Sequence, residues 1–219
     1  MAGRLTPPTG RYGGRSAEER QADRRRRFLD AALQLFGAGP GFRGTTVAGL
    51  SEAAGLSTRQ FYEEFRTLED VLAALYLTVD GRAERSALAS LAALEGRPVA
   101  ERAAAACHAY AAHVTGDPRR LRITSIEVVG AGPRLERQRL ARRARWTDLV
   151  CAEAAAAAER GEAARRDHRL AATAFVGGVN GLLHDWQSGR LDAGLDDVVE
   201  ELVRLLLGIL RPPDWRGGT

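Results

Sequence analysis

Apolar residues recur three and four positions apart through most of the chain, the spacing of helices with one buried side. Leu29, Ala32, Leu33 and Phe36 form the first such face, and Ser16 followed by Glu19 has the form of a capping box, so a helix is predicted over 17–36. Val47, Leu50, Ala53 and Ala54 lie on one side of a short helix over 47–54 that Thr46 caps. Gly55 ends it, because a left-handed C-cap costs glycine little. Ser57 caps a second short helix over 58–64, with Gln60 as a permitted capping-box partner. Phe61 and Phe65 are four apart and point inward together. Thr58, Arg59, Gln60 and Tyr62 are left toward solvent or a groove. Residues 45–65 therefore read as a helix-turn-helix, whose second helix is the one that enters a DNA groove.

Downstream the same period continues. Thr67 with Asp70 opens a long helix that passes through Leu75, Val79 and Leu88 to about Leu94 and stops at Gly96. Pro98 opens a helix to Thr115 with the stripe Cys107, Tyr110, Ala111 and Val114. Asp117-Pro118 opens a shorter helix through Ile126, and Gly130-Ala131-Gly132-Pro133 breaks the chain. A helix over 134–160 carries Trp146, Leu149, Val150 and Ala154 on one side. The last two helices are predicted over 167–188 and 195–210. The first has Phe175, Val179, Leu182, Leu183 and Trp186 on a broad face, the second a stripe from Leu195 to Ile209. Gly177 and Gly181, four apart, make a flat strip where another helix can come close. With an alanine-rich composition and few β-branched runs, the fold class is all-α. The organisation predicted is a disordered basic arm over 1–16, a helix-turn-helix domain over 17–66 and a helical domain over 67–219.

Charge adds location to this picture. The chain has 32 arginines and no lysine. Residues 1–66 hold 11 Arg against 7 Asp+Glu, a surplus of 4, and residues 67–219 hold 21 against 21. The entire surplus lies beside the helix-turn-helix, where phosphates would be met. Arg4, Arg11 and Arg15 belong to the arm, which is read as an unstructured tail with the alternative of a minor-groove contact. Cys107 and Cys151 make no disulfide framework and suit a reducing cytoplasm. No segment reaches ~18 uninterrupted apolar residues, so no membrane span is expected.

The chain from Arg25 to Leu72 resembles the DNA-binding domain of TetR-type (TetR/AcrR) transcriptional regulators. The resemblance rests on FLDAALQLF, then GF, then TTVAGLSEAAGLSTRQFYEEF, then EDVL, at these spacings. It departs from the family in three places. Leu68 stands where a phosphate-touching lysine is usual, with Arg66 as the substitute; Ser51 stands for alanine; and the GAGP loop after Phe36 is one residue longer.

The resemblance implies an N-terminal three-helix head followed by a helical ligand-binding and dimerisation domain. It implies a homodimer on a near-palindromic double-stranded operator, released by a small, largely apolar effector. The side-chain chemistry makes Arg59 and Gln60 the base readers, for guanine and adenine edges. Thr46, Ser57, Thr58, Tyr62 and Arg66 suit phosphates and positioning. The family also places Arg24–Arg27 near the DNA side. Its effector pocket implies Tyr76, Cys107, Tyr110, Trp146, Phe175 and Asn180 as candidate lining, and its terminal four-helix dimer bundle implies Gly177, Gly181, Trp186, Leu202 and Leu206 at the seam.

Two other classes compete. An enzyme is disfavoured because no glycine-rich phosphate loop, serine elbow or HExxH motif occurs, and Gly177-Gly178-x-x-Gly181 lies mid-helix rather than after a strand. No cofactor is implied, and His108, His113, His168 and His184 share no metal-ligand spacing with acids or cysteines. A DNA-binding architectural protein without an effector is the remaining alternative.

Overall fold

The computed structural model describes residues 16–210, and among them every regular element is helical. The arm expected over 1–16 lies outside the described residues, apart from Ser16, which caps α1 (Ala17–Gly37) through the capping box with Glu19. A single turn, α2 (Gly41–Gly44), follows, then α3 (Val47–Ala54) and α4 (Thr58–Glu64). The signals in the sequence set these boundaries as expected. Thr46 accepts from the Gly49 N–H, and Gly55 adopts φ +61° at the end of α3. Ser57 and Gln60 close a second capping box. Each such cap contributes about 1 kcal/mol.

The head is pinned by aromatic packing. Phe28 of α1 meets Phe61 and Phe65 edge-on, with ring centroids 5.6 and 6.1 Å away. Arg24 of α1 pairs with Glu64 of α4 at 2.9 Å, and the Glu64 side chain is only 1 % exposed. A pair this enclosed costs about 3–5 kcal/mol to break from one side. It fixes the angle at which α4 leaves the head.

A third capping box, Thr67 with Asp70, starts α5 (Leu68–Ala93). Leu68, the position read above as departing from the family's lysine, is half-buried and packs against the edge of the first core. That core continues past residue 66 without a gap. Val71, Leu72, Leu75, Tyr76 and Val79 of α5 join Phe28, Phe36, Leu50 and Phe61 in one cluster. The remaining helices are α6 (Val99–Thr115), α7 (Pro118–Arg122), α8 (Pro133–Glu159), α9 (Arg169–Gln187) and α10 (Leu195–Leu210). A second core, built on Ala83, Val114, Leu121, Leu183, Val198 and Leu202, holds α5, α6, α7, α9 and α10 together.

One element departs from expectation. The helix predicted from Pro118 through Ile126 changes pitch after Arg122 and runs as a π-helical turn over Ile123–Glu127. Its hydroxyls supply the reason. Ser125 Oγ donates to Leu121 O at 2.6 Å, and Thr124 Oγ1 donates to Leu121 O and Arg120 O at 3.1 and 3.2 Å. Side chains that claim carbonyls one turn back compete with the backbone N–H groups and open the turn.

Candidate DNA-reading helix and ligand cavity

The exposed face of α4 carries most of the residues expected to meet DNA. Ser57, Thr58, Arg59, Tyr62 and Arg66 are exposed or half-exposed, as is Thr46 at the start of α3. The Arg59 side chain is 89 % exposed and lies 3.3 Å from Glu63, one turn on. Tyr62 leans edge-on against Phe61 with centroids 5.2 Å apart.

Gln60 is the exception. It is half-buried, and its side-chain oxygen accepts from the Ser57 N–H at 2.9 Å and from the Ser57 hydroxyl at 3.1 Å. Adenine reading needs the amide oxygen and nitrogen together, and here the oxygen is committed to the cap. The base-reading role expected of Gln60 is therefore corrected to a capping role, which leaves Arg59 as the exposed candidate.

The arginine run at 24–27 braces the head. Arg24 holds Glu64, Arg26 pairs with Asp23, and Arg25 stacks over the Phe65 ring at 4.6 Å. Arg27 Nη2 donates to Gly55 O at 2.8 Å, tying α1 to the turn between α3 and α4.

The second site is a cavity of ≈ 120 Å³ between α5, α6, α8, α9 and α10. Tyr76, Cys107, Tyr110, Trp146, Phe175 and Asn180, named separately from the sequence, all line it. The lining follows α5 from Tyr76 to Leu91, about 22 Å at ~1.5 Å per residue. The space is thus long and slender, and its far end is walled by Leu91, Val99, Ala103, Ala154 and Leu210. Burial pushes the Cys107 thiol up to about 11 and raises both tyrosine hydroxyls above their usual range. Tyr110 packs edge-on against Trp146 with centroids 5.1 Å apart. Asn180 Nδ2 donates to Val176 O at 2.7 Å, so part of its polarity is satisfied within its own helix.

The apolar pattern did not mark the charged wall residues Asp80, Arg102, Arg143 and Glu153. A signal existed in the acids Asp80 and Glu84, four apart inside the apolar stripe of α5. Asp80 accepts from Trp146 Nε1 at 3.0 Å and pairs with Arg142, which also holds Glu84. Burial works to raise the Glu84 carboxyl, but hydrogen bonds from Arg142 and Arg145 hold it below its usual range. Arg102 grips Glu153 and caps the end of α5 through Leu91 O and Leu94 O at 2.7 and 3.0 Å.

Residues 28–75 match the family model of the bacterial regulatory proteins of the tetR family. The head of the chain is therefore a TetR-type DNA-binding domain. No curated protein matches it. Solved structures of similar fold include the fatty acid degradation regulator FadR from Bacillus halodurans, with a TM-score of 0.75 and 22 % identity over 86 % of this chain and 96 % of that one. FadR from Bacillus subtilis in complex with stearoyl-CoA gives 0.73 and 18 % over 85 % and 99 %. AibR in complex with isovaleryl coenzyme A and operator DNA gives 0.65 and 18 % over 84 % and 98 %. The chain thus carries its DNA-binding head in α1–α4 and a helical C-terminal domain behind it.

The five residues expected at a dimer seam divide in this fold. Leu202 is buried in the second core, and Leu206 lines the cavity. Trp186 packs on that core and donates to Ala193 O at 3.0 Å. Leu202 and Leu206 turn to the interior of their own subunit, which corrects their assignment, while Trp186 stays half-exposed. Gly177 backs onto Arg143, whose Nη2 would lie 3.3 Å from a Cβ placed there. Gly181 faces open space. Beside it on α9 stand Ala174 and Leu170, both exposed, and α10 exposes Leu205 at 47 %. Among the described residues no helix is long and apolar enough to cross a membrane, and no three His, Cys, Asp or Glu side chains group to hold a metal.

Proposed function

We propose that this chain acts as a homodimeric repressor, released from a near-palindromic operator when a small ligand with a long apolar chain occupies the cavity. The single observation carrying this reading is the cavity itself: one long apolar slot on which all six expected lining residues converge. Its slenderness fits one aliphatic chain better than a fused ring system. The B. subtilis and AibR structures hold acyl-CoA ligands, and an acyl thioester is the effector class carried over here.

A path for the response runs along the wall. The slot is smaller than ordinary ligand sites of roughly 300–1,000 Å³, so a ligand must part the helices around it. On α9, Gln187 donates to Pro118 O at 3.1 Å, and its side-chain oxygen lies 3.1 Å from Ser125 Oγ. Two residues beyond Ser125, Glu127 accepts from the Phe42 N–H of α2 at 2.8 Å. Arg119 of α7 packs so closely on Gly37 that a Cβ there would lie 2.5 Å from the arginine Cβ. A shift of α9 is thereby handed through α7 and the π-helical turn to the head.

A dimer through the exposed strip of α9 would place the two α4 helices in successive major grooves, about 34–36 Å apart or somewhat more. Arg59 reads a base there, with Thr46, Thr58, Tyr62 and Arg66 on phosphates. Such a protein works where the chromosome is, in the cytoplasm.

The test begins with an operator selected from genomic fragments, followed by titration of the bound complex with acyl-CoA esters of increasing length. Each added methylene buries ~0.8 kcal/mol, about fourfold in affinity, so the releasing concentration should fall stepwise until the slot is full. No release at any length would leave the architectural reading in its place.

A further inference from the structure

Around the cavity the charges nearly cancel. Asp80, Glu84 and Glu153 face Arg102, Arg142, Arg143 and Arg145, three acids against four arginines. Arg142 and Arg145 hold Asp80 and Glu84, and Arg102 holds Glu153. Arg143 is left over. It lines the cavity, half-buried, and makes no hydrogen bond or ion pair among the described residues. Gly177 of α9 gives it room: its Nη2 lies where a Cβ on that residue would come within 3.3 Å. Its charge reaches Glu136 of the same helix, but that acid is paired directly with Arg139, and a half-buried cation without a direct partner gains from an arriving anion.

The groups beside it suit the same visitor. Tyr76 and Tyr110 share one end of the slot, where Asp80 is the charge that acts most on both and Arg143 acts more weakly on Tyr76; Asp80 is itself held by Arg142 and Trp146. Burial raises both phenols above their usual range, so both stay protonated and able to donate. Neither hydroxyl has a hydrogen-bond partner among the described residues. The opposite end, at Leu91 and Leu210, is apolar.

We propose that Arg143, with the Tyr76 and Tyr110 hydroxyls, forms a head-group subsite, and that the ligand is an anionic amphiphile. Its carboxylate or phosphate meets the guanidinium, and its single aliphatic chain runs along the slot toward Leu91 and Leu210. Guanidinium pairs both oxyanions in a two-pronged geometry. The proposal rests on the effector reading above and adds the charge that the effector must carry.

The test compares three probes of equal chain length on the full-length protein: dodecanoate, dodecyl phosphate and the neutral dodecanol. Binding is measured calorimetrically below the micellar range. The wild type should prefer at least one anionic probe to dodecanol by about tenfold or more. Arg143→Gln should abolish that preference while leaving dodecanol affinity and thermal stability unchanged. Arg143→Lys, which keeps the charge without the fork, should retain part of it and serves if the glutamine variant does not fold. Loss for dodecanoate alone identifies a carboxylate head, and loss for dodecyl phosphate alone identifies phosphate. An unchanged preference in Arg143→Gln, or a wild type that binds dodecanol as tightly as both anions, overturns the subsite and leaves the apolar effector reading standing. Failure of all three probes to bind the wild type overturns the subsite, and it overturns the effector reading as well only if acyl-CoA esters of every length also fail to release the operator.

Discussion

At Arg59 two interactions compete for one guanidinium. In the free protein it pairs with Glu63 on an exposed helix surface, where such a pair is worth about 0.3–0.5 kcal/mol. A two-pronged contact with guanine is worth ~1–3 kcal/mol, so DNA wins the arginine. Arg59→Ala should therefore weaken operator binding by ~1–3 kcal/mol and relax selectivity at one base pair. Gln60→Ala should instead lower stability by about 1 kcal/mol through the lost cap and leave base preference alone. Gel shifts on operators substituted one base at a time, with parallel melting curves, separate the two. A shift in base preference with Gln60→Ala would restore it as a reader. Both residues were visible in the sequence as polar positions on the outer side of 58–64. The pattern could not show that Gln60 closes back on Ser57, because capping and reading ask for the same amide.

At the scale of elements, the caps were the most legible feature. Ser16, Thr46, Ser57 and Thr67 each begin a helix as the local chemistry requires. The π-helical turn was not legible, since it depends on where the hydroxyls of Thr124 and Ser125 find carbonyls. Yet this turn joins the two halves of the molecule. Glu127 receives the Phe42 N–H and Arg122 Nε at 2.8 and 2.9 Å. Glu127→Ala should cost about 1–3 kcal/mol of stability, the range for hydrogen bonds to a charged group. It should also shrink the ratio of operator affinities measured without and with ligand. An unchanged ratio would mean that the head is moved through another contact.

At the scale of the whole molecule, the dimer proposed above uses the exposed small residues of α9 as its seam. A Cβ added at Gly181 would meet nothing within 4 Å, so the subunit itself has room for a side chain there. Replacing glycine inside a helix even adds local stability, ~1 kcal/mol for alanine. Gly181→Arg should then fold normally, sediment as a monomer and lose operator affinity as its two-fold grip is lost. A variant that stays dimeric would move the seam away from this strip.

The sequence by itself determined most of the helices and the TetR-type head, because caps, helical periods and the 45–65 motif are decided within a few residues. Through the family resemblance it also named six of the side chains that line the cavity. Tertiary structure decided which way the broad apolar stripes turn. The stripe of α10 is wide enough to face either a partner or its own core, and only packing against α6 and α9 sends Leu202 and Leu206 inward. The same holds for charge. A count of arginines and acids after residue 66 balances at 21 each, and only the folded chain pairs Arg102, Arg142 and Arg145 while leaving Arg143 alone at the cavity wall.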